Sequence, residues 1–241
     1  MASFFYTLIY QPLFNLLIFL YNAVPFADLG IAVILITVLI KLVLYPLGLK
    51  AAKSQKEMES IQPEVKKIQE KYKNDKEQQS KKIMALYKER GVNPFSGMLP
   101  LFIQLPILVS LFQIFRRGLE SEEMKHLYDF VAAPEIINYN FLGAVDLSSP
   151  NIVFAVLAAG GQYLQMKMVS SKKKEGEKED TAKAIQTHMI YFLPGFTFVI
   201  LLTLPSVVGL YWIITVAFSV FQQYIVKKDK SDENGGNKEN N

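Results

Sequence analysis

The spacing of the charges restricts this chain more than any other feature. From Ala184 to Val226 there are 43 residues without an Asp, Glu, Lys or Arg. A bilayer core about 30 Å thick is crossed by about 20 helical residues. The run is about twice that length, and Pro205 in "TLPS" divides it, so it reads as two antiparallel spans, roughly 187–203 and 206–226. Phe95–Phe115 and Leu147–Met166 are also free of charge, and Leu29–Leu49 is apolar except for Lys41. A length of 241 residues alone suggests one or two soluble domains. Gathering the apolar residues into runs this long overrides that expectation. There is no cysteine, which excludes disulfides, thiolate nucleophiles and cysteine metal sites. The two histidines are far apart, so a histidine cluster is excluded as well, and no metal or other cofactor is expected.

Between the runs lie segments of different character. Residues 1–27 carry no charged side chain, and Ser3, Thr7, Gln11 and Asn15 recur every fourth position. A signal peptide would need a basic start, which is missing. A membrane span is the other alternative. The polar stripe on one helical face favours a helix lying in the membrane interface. Span one is 28–49 and is followed by a charged segment, 50–92, with 12 Lys/Arg against 7 Asp/Glu. Pro63, Val65, Ile68 and Tyr72, then the turn "KND", then Ile83, Leu86 and Tyr87 give a helical hairpin that Gly91 and Pro94 end. Span two is 93–117, with a kink expected from Pro100 and Pro106. An acidic loop, 118–146, leads to span three at 147–168. A basic low-complexity connector, 169–186, precedes spans four and five at 187–226. The tail, 227–241, is too polar to bury a core and is expected to be disordered.

Charge sets the orientation. Of 26 Lys/Arg, 22 fall in 50–92, 167–183 and the tail from 227, all on one side of a five-span chain. Basic loops remain in the cytoplasm, so the C-terminus is placed there. Arg116 and Arg117 run against the rule locally and read as interfacial snorkels. Lys41 is the only charged side chain within the five apolar runs. A lysine at a helix centre costs about 2.5–3.5 kcal/mol on insertion scales. It lies nine residues before Lys50, about 13 Å along a helix. One reading is a lysine that snorkels to cytoplasmic headgroups. The other is a water-filled pocket open to the cytoplasm, lined by polar residues from other spans. Candidates for that lining are Thr37, Gln104, Ser110, Gln113, Gln162, Gln165, Thr215 and Ser219, each of which is also suited to a plain interhelical hydrogen bond. A lone cation suits attraction of an acidic or polar segment, since an ion pair at 4 Å gains about 4 kcal/mol at an effective dielectric near 20. It does not suit proton pumping, because no acidic or histidine relay lies near it in sequence.

Five blocks occur in order: "GIAVILITVLIKLVLYPL", "QPEVKKIQEKYKND", "GVNPFSGMLPLFIQLPILVSLF", "LQMKM" and "GLYWIITVAFSVFQQYIV". Together they cover the chain from about Gly30 to Val226 and resemble the YidC family of membrane protein insertases. The resemblance implies an all-α polytopic membrane protein with five transmembrane helices. These enclose a hydrophilic groove that is open to the cytoplasm and to lipid and closed to the outside. It also implies an interfacial N-terminal helix on the outer face and a cytoplasmic helical hairpin after span one. Bacterial members carry an arginine on span one where this chain has Lys41. That keeps the charge, as mitochondrial relatives do, but loses the bidentate fork. Gln165 and Trp212 match family positions that line the groove or the substrate path, and Gln104 matches "IQLP". The large outer domain of Gram-negative members has no counterpart between the first helix and span one.

The resemblance further implies a function without bond chemistry, so no catalytic residue is expected. A client's hydrophobic segment slides along lipid while its short polar part enters the groove near Lys41. Nascent membrane proteins are the implied clients, in a bacterial plasma membrane. The basic connector and tail suit the ribosome, and anionic lipid suits them equally. The Sec translocon is a further candidate partner, and DNA is not. A small transporter or channel, or a lipid scramblase, is the rival reading, though no inverted repeat is visible. "FSGM" lacks the G-x-S-x-G spacing of a nucleophile elbow, which argues against a protease.

Overall fold

A computed structural model describes residues 2–93, 99–117, 119, 123–169 and 181–236. The architecture is almost wholly helical. The chain opens with α1 (Ala2–Phe5), a π-helical turn (Tyr6–Tyr10) and α2 (Gln11–Ala23), joined without a break because the residues between them keep helical dihedrals. The wide turn has a local cause. Pro12 has no amide hydrogen for the helix ladder, and the Gln11 amide instead reaches back five residues to the Tyr6 carbonyl. A tight connection with Phe26 and Ala27 at positive φ leads to Asp28. The Asp28 carboxylate caps α3 (Leu29–Val43) by accepting from the Ile31 amide at 3.1 Å.

Within the expected span 28–49 the helix is bent. The helix stops at Leu44 and resumes as α4 (Tyr45–Ser60), bent by 62°. Pro46 cannot donate to the carbonyl four residues earlier and its ring crowds that carbonyl, so the break falls beside it. Then α5 (Gln62–Lys71) and α6 (Lys76–Glu89) form an antiparallel hairpin around the turn at 72–75. Asp75 caps α6 through the Gln78 amide at 2.9 Å. Val65 and Leu86 are buried in its thin seam. Arg90 grips Glu64 at 2.7 and 2.9 Å across the open end, and that hydrogen bonding raises the guanidinium pKa further.

The bundle continues with α7 (Leu99–Arg117), assigned as one helix through Pro106, then α8 (Ile152–Val169), α9 (Thr181–Leu201) and α10 (Ser206–Gly236). Helix α9 begins inside the segment expected to be a low-complexity connector, of which 170–180 lie outside the described residues. Helix α10 runs past Val226 to Gly236, where a disordered tail was expected. Nothing between Lys227 and Asn234 breaks a helix, and the first glycine is Gly235. Residues 94–98 and 237–241 are outside the description. Helix α10 packs against α8, α3, α4 and α7, and α8 packs against α9. Among the described residues, Ser206–Val226 is the single helix long and apolar enough to cross a bilayer. The bent α3–α4 pair passes jointly, and Gln104–Arg116 and His188–Leu201 are shorter apolar stretches.

The loop before α8 is ordered by the first helix. It holds a 3-10 turn (Glu123–His126) and a hairpin of β1 (Asn140–Phe141) and β2 (Val145–Asp146), with Asn140 opposite Asp146 and Phe141 opposite Val145. Asn15, expected on a water-facing stripe, is instead buried. Its amide donates to the His126 carbonyl at 3.2 Å and accepts from the Tyr128 amide at 2.6 Å. Gln11 donates to the same His126 carbonyl, so half of that stripe holds the loop rather than facing water. Tyr21 bridges Ile136 and Asn138, and Asn22 donates to Ala132 at 2.7 Å. Asp28 accepts from Leu142 at 2.7 Å, which secures a residue held at φ 51°. The Phe141 ring lies so close to α3 that a Cβ on Gly30 would meet it at 2.2 Å, so that position must be glycine. Beyond the hairpin, the Ser149 and Leu147 carbonyls accept the first amides of α10, from Ser206 and Val207.

Candidate functional site: a lysine held between three helices

Lys41 lies in the last turn of α3, just ahead of the Leu44 break. A cation there faces the negative end of the helix dipole, which offsets part of its desolvation. The side chain is partly buried, and its Nζ donates to Oε1 of Gln104 on α7 at 2.9 Å. The Gln104 amide nitrogen in turn donates to the phenolic oxygen of Tyr211 on α10. An ammonium can only donate, so it dictates that the amide oxygen faces Lys41 and the amide nitrogen faces Tyr211. Among the described residues no carboxylate lies within ion-pairing reach of Lys41. Among the described residues the cation is therefore held by a neutral dipole.

Other expected groove residues take several positions. Thr37 is fully buried one turn before Lys41, and its hydroxyl donates to the Val33 carbonyl of its own helix at 2.6 Å. Ser219 does the same with Thr215 at 3.0 Å. Among the described residues, Ser110 on α7 and Gln162 on α8 each have a buried side-chain oxygen without a hydrogen-bond partner, while the Thr215 hydroxyl on α10 meets the Tyr211 phenol. A buried polar atom left unmatched costs about 1–3 kcal/mol, so two of them on two helices of one bundle stand out. Gln113 and Gln165 are half-buried and make no side-chain hydrogen bond among the described residues. Trp212 is half-buried and packs on the core. An open depression lined by His188, Met189, Tyr191 and Phe192 lies on α9 and includes none of the expected groove residues. Its walls are mainly apolar and offer nothing to hold a charge.

The structure thus joins Lys41 to Gln104. It adds Tyr211, which sequence reasoning passed over in favour of its neighbour Trp212. Adjacent residues point about 100° apart on a helix, and the rotation of a span cannot be read from an apolar run alone. Asp28 was also passed over, although an aspartate directly before "LGIAV" is an N-cap signal.

An almost wholly helical fold with a long apolar helix at Ser206–Val226 and a second apolar stretch bent at Leu44 is the build of an integral membrane protein. The chain belongs to the 60Kd inner membrane protein family, whose model matches residues 19–234. It is 36% identical over 222 residues to the membrane protein insertase YidC of Fusobacterium nucleatum, covering 91% of this chain and 97% of that relative. It is 36% identical over 199 residues to the membrane protein insertase YidC of Francisella tularensis subsp. novicida, covering 83% of this chain and 32% of the relative. The chain therefore spans about a third of the length of the Francisella protein. The family resemblance drawn from the five ordered blocks is established, and with it a bacterial membrane protein.

Proposed function

We infer that this chain is a membrane protein insertase whose clients are nascent membrane proteins. The observation that carries the reading is the bond from Lys41 to Gln104, a cation kept inside the bundle without a counter-ion among the described residues. Five spans are proposed: α3 with the start of α4, then α7, α8, α9 and α10. Large apolar side chains exposed on α8 and α9, among them Ile152, Val156, Leu157, Phe192, Phe196 and Val199, fit contact with lipid. The 22 Lys/Arg gathered on one side support a cytoplasmic hairpin and C-terminus.

The mechanism follows from the charge. A client reaches the cytoplasmic side near the basic hairpin. Its hydrophobic segment partitions into lipid beside the bundle, which supplies the driving force through burial of about 20 apolar residues. Its short polar part enters between α3, α7, α8 and α10, where Lys41 and the unmatched polar atoms of Ser110 and Gln162 offer partners. The Lys41 site holds the segment only briefly, because the same interaction must be released outward. No bond is made or broken. Gln165 and Trp212 are proposed on the client's path, Gln113 and Thr37 at its edge. The ribosome, anionic lipids and the Sec translocon are proposed partners of the basic segments.

Reconstitution tests the reading. Liposomes containing only this chain should insert a single-span client with an acidic tail and should leave a small trapped solute inside. Solute efflux that depends on Lys41, without client insertion, would replace the reading by a transporter.

A further inference from the structure

Tyr211 is 2% exposed, and its hydroxyl faces the Gln104 amide on another helix. A phenol at the same depth could have been a phenylalanine if only packing mattered. Its oxygen also meets the Thr215 hydroxyl one turn further along α10, and it receives the amide hydrogen of Gln104. That contact fixes which way the amide points. With the nitrogen held by Tyr211, the oxygen is presented to Lys41. Without it, the amide can rotate, and the lysine loses the acceptor that keeps it from reaching toward the cytoplasmic headgroups.

We propose that Tyr211 is a positioning residue that aims Lys41 into the bundle through Gln104, and thereby sets the preference of the site for acidic client tails. The proposal rests on the insertase reading above. The three residues come from α10, α7 and α3, so the relay also reports whether these helices are in register. Lys41 has three donor directions and gives one to Gln104. The remaining donors meet a client carboxylate only while the ammonium stays at this depth. A tail without charge does not need them. The relay therefore predicts a selectivity effect rather than a general loss.

A double-mutant cycle tests it. Cells depleted of their own insertase are rescued with wild type, Y211F, Q104L, the Y211F/Q104L pair or K41A. Two single-span clients are followed, one with an acidic tail and one with an uncharged tail of equal length. Y211F should lower insertion of the acidic-tail client by about fivefold, the weight of one net hydrogen bond. The uncharged-tail client should be unchanged, which also reports that the variant folds. In the Q104L background, Y211F should have no further effect, because the relay is already cut. If the two effects multiply, or if both clients fall equally, Tyr211 acts through packing and the proposal is overturned. Normal insertion by Y211F with loss in K41A sinks the relay alone. Normal insertion of the acidic-tail client by K41A sinks the insertase reading of Lys41 as well.

Discussion

The two ends of this bundle, outer and inner in the proposed orientation, treat polar groups in opposite ways. At the outer end, Asn15, Tyr21, Asn22 and Asp28 are each bonded to backbone of the loop that lies over them. Every one of those bonds joins segments more than 100 residues apart. Elsewhere, among the described residues, Lys41 has a single neutral partner, and Ser110 and Gln162 carry buried oxygens with none. The first arrangement closes and stiffens the end of a bundle. The second leaves interaction energy unspent, which the proposed mechanism uses for a passing polar segment.

This contrast can be broken by substitution. The largest loss of stability is expected for D28A, which removes the α3 cap and the bond to Leu142 together, at about 2–4 kcal/mol. Thermal unfolding in detergent checks it, and insertion should fall only with the amount of folded protein. G30A should follow at about 1–3 kcal/mol, because its Cβ collides with Phe141. N15L should cost about 1–3 kcal/mol, since it strands the Tyr128 amide, and faster proteolysis within 123–138 would register it. At the inner end the sign reverses. K41M should leave the melting temperature unchanged or raise it, because a buried charge is gone, while insertion of acidic-tail clients is lost. A fall in stability on K41M would erase the distinction between the two ends. The smallest effect belongs to R90A. The Arg90–Glu64 pair is well exposed, and its loss should not be resolved in a melting scan.

Much of this was legible in the sequence, and the misses have physical causes. Lys41 was conspicuous because an apolar run makes any charge stand out, and Gln104 stood in a charge-free helix for the same reason. The hairpin seam at Val65 and Leu86 followed from helical spacing. Pro46 marks the break at Leu44, and reading the apolar run to Leu49 as one unit hides it. The stripe of Gln11 and Asn15 was visible, yet a polar face looks the same whether it meets water or a loop backbone. Only the tertiary fold brings residues 126–142 over it. Tyr211 was hidden by helix rotation, which neighbouring helices set and an apolar sequence does not. The extension of α10 to Gly236 reflects local helix propensity in a charged segment that lacks the apolar surface to require any structure.

The most direct test of the central claim is a charge series at Lys41. Insertion of a single-span client with an acidic tail would be measured in insertase-depleted cells carrying Lys41, K41R, K41A or K41E. Arginine should support insertion, alanine should impair it by about tenfold or more, and glutamate should abolish it, the order expected of a positive charge acting at close range. Equal rescue by all four would contradict the account. Lys41 would then be a snorkelling side chain, and hydrophobic partitioning alone would carry insertion.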